Sequence, residues 1–144
     1  MPPLSGKWND NARLLLDTHT WVWAAAAPDH LGKKTRALLV QRKTERLVSA
    51  VSVLEIARLS ADGHLVFALA TAAWIEQASR ILLLEHLPVT SDIAVEAYAL
   101  PAPFHRDPAD RLLVATTRLL NLTLLTADER ILQYRSVRAL DCRK

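Results

Sequence analysis

Four carboxylates, Asp17, Glu55, Asp110 and Asp128, are the residues of this chain best suited to chemistry. Asp17 closes the apolar run Leu14-Leu15-Leu16, and Asp128 comes shortly after the run from Leu122 to Thr126. Glu55 and Asp110 each fall in the expected first turn of a helix. Gathered acids repel one another unless a proton or a cation compensates them. A carboxylate directly behind three leucines is also recessed, which is costly without a partner, and no lysine stands nearby in sequence to pair with Asp17. Hard oxygen ligands favour Mg²⁺ or Mn²⁺ over zinc. The implied chemistry is a divalent cation acting on phosphate. Each acid taken alone has a plainer reading. Glu55 completes a capping box, Asp110 favours a helix start through the dipole, Asp128 is an N-cap, and Asp17 sits in a turn. His19 and His105 lack zinc spacing; His19 reads as a packed side chain and His105 as a loop residue within reach of phosphate.

The elements that must position these acids alternate along the chain. Arg13 to Asp17 reads as a strand, continuous in apolar character and so covered on both faces. Thr18 is expected to cap a short helix through Trp21 and Trp23 that ends by Pro28. A basic helix is expected over 33–43 and a strand over 46–50. Ser52 and Glu55 match a capping box for a helix running to about Ala61. Residues 67–79 read as helix, 81–84 as a strand or buried turn, 87–89 as a weaker strand, and 91–99 as helix. Asp107-Pro108-Ala109-Asp110 is the clearest helix start, with Asp107 at N-cap, proline at N1 and Asp110 at N3. A strand over 122–126, a short helix holding Ile131 and Leu132, and a strand over 136–140 complete the chain. This alternation argues for a parallel sheet with helices on both faces. In such a fold, strand exits and helix starts share one rim, where ligands bind at a switch in strand order.

Composition bounds the rest. The 144 residues suit one domain over 13–144 behind a loose, flexible lead-in at 1–12, and the 51% apolar content argues for a folded core. A single cysteine, Cys142, cannot form an internal disulfide and points to a reducing, cytoplasmic setting. The net charge of +3 permits a nucleic-acid partner without requiring one. The apolar stretch from Leu14 to Ala27 contains Asp17 and His19 and is too short to span a bilayer, so no membrane is expected as a partner.

The segments LLLDTHTWVW at 14–23, SAVSVLEIARL at 49–59, HRDPADRLLVAT at 105–116 and LLTADERI at 124–131 resemble the PIN-domain ribonucleases, and more narrowly the VapC-type toxins of toxin–antitoxin pairs. The resemblance runs from Leu14 onward. It implies an α/β fold, a three-layer α/β/α sandwich around a mainly parallel sheet of four or five strands. It implies that Asp17, Glu55, Asp110 and Asp128 are both the catalytic and the metal-binding acids. Thr126 would orient Asp128 or a bound water, Asp107 would support the site or cap the helix, and Arg111 would pair with an acid or approach phosphate.

The resulting expectation is an Mg²⁺- or Mn²⁺-dependent endoribonuclease acting on RNA. The resemblance also implies a cognate antitoxin covering a groove between the early helices, and a homodimer through the alanine-rich middle helices. Arg36, Arg42, Lys43, Arg106, Arg111 and Arg118 are candidate contacts to the RNA backbone. At least one of Trp21 and Trp23 is expected at the surface near the antitoxin groove, with core packing the alternative for both. The rivals are a metal-dependent DNA nuclease and an inactive module of the same fold that binds RNA or protein without cutting.

Overall fold

The three leucines of the first apolar run divide between two cores. In a computed structural model describing residues 12–144, Leu14 and Leu16 pack with Trp21, Val48, Ile56 and Leu125. Leu15 packs with Leu47, Val51, Leu113 and Leu124 on the other side. All three leucines are fully buried. Successive strand side chains point to opposite faces of a sheet, so a strand apolar at every position must be covered on both.

That strand, β1 (Arg13–Leu16), is the centre of a five-stranded sheet. It pairs in parallel with β2 (Glu45–Ser49) on one side and β4 (Thr123–Thr126) on the other. Beyond them lie β3 (Leu84–Leu87) and β5 (Ala139–Asp141), also parallel, giving the order β3-β2-β1-β4-β5. The helices are α1 (Thr18–Ala26), α2 (Lys33–Leu39), α3 (Ala50–Ala61), α4 (Thr71–Ile81), α5 (Ser91–Ala97), α6 (Pro108–Leu119) and α7 (Glu129–Leu132). The expected α/β/α sandwich is present with five strands, all parallel. The chain builds outward from β1 through β2 to β3, then returns to place β4 and β5 on the opposite side. The order therefore reverses between β1 and β4, which opens a crevice at their C-terminal ends.

Several boundaries differ from expectation. The expected lead-in lies outside the described residues apart from Ala12, which is buried and whose carbonyl accepts from Glu45 N at 3.0 Å. Helix α2 stops at Leu39 because Arg46 reaches back to the carbonyls of Leu39 and Gln41 at 2.8 and 3.4 Å. Helix α4 starts and ends later than 67–79. It is followed by Leu83 in the left-handed region, with φ 54°, which turns the chain so that the strand begins at Leu84 rather than Ile81. No helix among the described residues is long and apolar enough to cross a membrane.

Trp21 is 0% exposed and packs against Trp74 and edge-on to His86, with ring centroids 6.1 and 5.8 Å apart. Its indole nitrogen has no hydrogen-bond partner. Trp21→Ala is therefore expected to cost about 3–5 kcal/mol in urea unfolding, the range for emptying a large aromatic site. Trp21→Phe should cost much less, because no hydrogen bond is lost. Equal losses for the two would show that ring volume is not what this site uses.

Candidate active site

Asp17 and Asp128 leave β1 and β4 where the strand order reverses, and each caps the helix that follows. Asp17 Oδ1 accepts from Thr20 N at 2.9 Å, so Asp17 is the N-cap of α1, a role expected of Thr18. Its main-chain N–H bonds Leu125 O at 3.1 Å, tying it to the neighbouring strand. Asp17 Oδ2 accepts from the Thr126 hydroxyl, and Thr126 Oγ1 in turn accepts from Asp128 N at 3.0 Å. Thr126 thus fixes both strand exits at once, holding the carboxylate of one acid and the main chain of the other. Asp128 Oδ1 caps α7 by accepting from Arg130 N at 2.9 Å, which leaves Oδ2 facing the crevice beside Arg130.

Helix α6 begins as expected. Asp107 accepts from Ala109 N at 3.0 Å, Pro108 fills the first position and Asp110 the third. Glu55 differs. Strand β2 runs into α3 with no loop, so Ser49 is the cap, accepting from Val51 N at 3.1 Å. Ser52 is buried inside the helix and Glu55 lies in the second turn, freed from capping. There the Thr18 hydroxyl donates to Glu55 Oε1 at 2.7 Å and stands 3.1 Å from Ser52 Oγ.

Two further expectations are corrected. Arg111 meets neither an acid nor an open surface. Its guanidinium donates to the carbonyls of His105, Ala97 and Phe104 at 2.9, 2.9 and 3.1 Å and lies over the rings of Tyr98 and Phe104. One residue past Asp110 on a helix turns about 100° away from it, which aims Arg111 into the preceding loop. His19 is exposed on the rim, 6.0 Å from the Trp23 ring, and is not packed in the core. For Trp21 the core-packing alternative holds, and Arg118 is withdrawn from the surface role first assigned to it. Trp21 is buried, and Arg118 is bound to Glu96 at 3.2 Å and to the Ser136 carbonyl.

Asp17, Glu55, Asp107, Asp110 and Asp128 all line one cleft of about 350 Å³, together with Thr18, His19, Trp23 and Arg130. The field of the neighbouring acids is visible at Asp110. Asp110 is pushed up to about 7 by burial, then by Asp107 and Asp128, with a smaller push from Glu55. Burial raises Asp17 above the usual carboxylate range despite hydrogen bonds from Thr126 and Thr20. Burial acts upward on Asp128 as well, but the hydrogen bonds and charge of Arg130 hold it below that range. Sequence reasoning passed over Arg130, whose guanidinium lies 3.2 Å from Asp128 Oδ2 and 3.5 Å from Asp110 Oδ2. Its position two residues after a helix-capping acid was the available signal.

Ligand atoms of His105, Asp110 and Asp128 lie within 4.8 Å of one another, a group that does not include Asp17 or Glu55. His105 Nε2 is 3.1 Å from Asp110 Oδ2, yet it is buried without an aligned hydrogen-bond partner. Burial lowers the His105 pKa, so near neutrality the imidazole does not compensate the acids. An acid raised by burial and by its acidic neighbours, with an unpartnered nitrogen beside it, fits a divalent cation in this cleft.

The fold and this cleft define a class. A family model described as the PIN domain matches residues 14–137, and the chain belongs to that family. It is 33% identical over 128 residues to Ribonuclease VapC22 of Mycobacterium tuberculosis, an alignment covering 87% of this chain and 94% of that protein. The fold is shared with FitAcB from Neisseria gonorrhoeae at a TM-score of 0.62 and 19% identity, covering 89% of this chain and 96% of that one. A toxin–antitoxin complex from Klebsiella pneumoniae gives 0.59 and 17%, with the same two coverages.

Proposed function

We propose that this protein is a metal-dependent endoribonuclease and the toxin of a toxin–antitoxin pair. The observation that carries this reading is the convergence of Asp17, Glu55, Asp110 and Asp128 on one cleft at the β1/β4 switch point, in a chain whose curated relative is a ribonuclease. Asp17, Asp110 and Asp128 would hold Mg²⁺ or Mn²⁺. When bound, the ion lowers the pKa of water and draws charge from the phosphoryl oxygens. Glu55, steadied by Thr18, orients the attacking water or receives its proton. Thr126 keeps Asp17 aimed into the cleft, and Asp107 adds to the negative field that attracts the cation. Arg130 neutralises Asp110 and Asp128 in the absence of the ion and is exposed enough to swing toward an RNA phosphate.

We place the protein in the cytoplasm, with two protein contacts. Leu54, Val66 and Leu69 are exposed at 68, 89 and 44% on α3 and the segment before α4, which suits the apolar arm of an antitoxin. Exposed Ala72, Ala73 and Ile81 on α4 suit a second copy of the chain. Toxin identity draws support from the neighbouring fold in the Klebsiella pneumoniae toxin–antitoxin complex.

The test is end mapping on total RNA incubated with the purified protein and Mg²⁺ or Mn²⁺, with a chelator control. New ends bearing 5′-phosphate and 3′-hydroxyl groups are expected with metal and none in chelator. Cleavage that persists in chelator defeats the proposal. So does binding of RNA without cutting, which would instead favour the inactive module.

A further inference from the structure

Beside the acidic cleft lies a second, larger cavity of about 830 Å³ that shares Arg130 with it, and His105 on its lining stands 3.1 Å from Asp110 of the cleft. Its character is opposite. No acid lines it, and Arg130 and Arg135 both face it. Phe104 and Pro103 form an apolar wall, and Gln133 offers an amide donor and acceptor at the edge. Arg106, next in the chain to His105, is exposed and adds a third nearby cation.

The wall is held from behind. Arg111 bonds the carbonyls of Phe104, His105 and Ala97, and the Tyr134 hydroxyl donates to Pro101 O at 2.5 Å. Phe104 also packs on Tyr134, with ring centroids 4.5 Å apart. A rigid aromatic wall with guanidinium groups around it stacks nucleobases and tracks phosphates. The volume lies within the ~300–1,000 Å³ range of ligand pockets.

We infer that this cavity is a nucleotide subsite for single-stranded RNA flanking the scissile phosphate. The base rests on Phe104, Gln133 meets its edge, and Arg135 meets the adjoining phosphate. The inference rests on the ribonuclease reading for its substrate class. The juxtaposition of a basic, aromatic cavity with an acidic cleft, through the shared Arg130 and the His105–Asp110 contact, is its own support. A base paired within a duplex does not reach such a wall, so unpaired RNA is the ligand.

The test measures binding in the Asp17→Asn background, where RNA stays intact, using a 5′-labelled mixed-sequence RNA decamer and fluorescence anisotropy. Adding Gln133→Ala and Arg135→Ala, both at exposed positions, should weaken binding by about tenfold and flatten its salt dependence. Adding Phe104→Leu should weaken binding to the normal decamer by roughly 5-fold or more. It should leave binding to an abasic decamer unchanged, which a general folding defect would not do. Unchanged affinity in these variants overturns the subsite, as does equal loss on normal and abasic RNA. Wild-type cleavage is scored separately. Cutting with unaffected binding removes the subsite and keeps the nuclease; affected binding without cutting removes the nuclease and keeps an RNA-binding site.

Discussion

Asp17→Asn is expected to reduce RNA cleavage on the order of 10³-fold, because several kcal/mol of charge stabilisation depend on that carboxylate. The local structure should survive. Asparagine caps helices about as well as aspartate, so the bond from Thr20 N to the cap is kept. The change also removes a charge that burial disfavours, so thermal stability should hold or rise. What is lost is the oxygen pair facing the cleft and the hydrogen bond that the Thr126 hydroxyl now donates to it. Single-turnover cleavage with Mg²⁺ and with Mn²⁺, alongside a melting curve, checks both halves. A clean preparation that cuts at a tenth of the wild-type rate or faster would remove Asp17 from the machinery.

The parts of this site that could be read in the sequence are those whose signal is local. Asp107, Pro108 and Asp110 announce a helix start through three consecutive constraints, and α6 begins where they say. Leu14-Leu15-Leu16 announces a strand covered on both faces, since no amphipathic alternation interrupts it. Glu55 was harder to place. Ser49 and Ser52 both precede it, and either serine can cap. The absence of a loop between β2 and α3, a consequence of sheet geometry, decides for Ser49. Arg111 and Arg130 each lie one or two residues beyond a cleft acid and look alike on paper. Helix phase sends Arg111 behind the loop and leaves Arg130 over the carboxylates. Strand β3 was shifted because Leu83 takes a left-handed turn without glycine to mark it. In each case long-range packing settled a choice that neighbours in sequence left open.

Asp110→Asn is expected to abolish cleavage and, in chelator, to make the protein more stable at pH 8. Two effects compete at this position. The N-terminus of α6 favours a negative charge by about 0.3–1 kcal/mol. Burial and the fields of Asp107, Asp128 and Glu55 oppose it, and they prevail, since the carboxyl is pushed up to about 7 from 3.8. For an acid whose folded pKa lies above its unfolded one, the folded state binds the proton more tightly. Stability of the metal-free protein therefore falls as pH rises from about 4 to about 7, then levels off. Asparagine lacks this titration. The melting temperature of Asp110→Asn should exceed that of the wild type by several degrees at pH 8, and the gap should close as pH falls toward 4. Saturating Mn²⁺ should reverse the ranking, because the wild type gains binding energy that the variant cannot. A variant less stable than wild type by the same amount at pH 5 and pH 8, unaffected by Mn²⁺, would mean that the acids of this cleft do not feel one another. The cation would then have no reason to bind there.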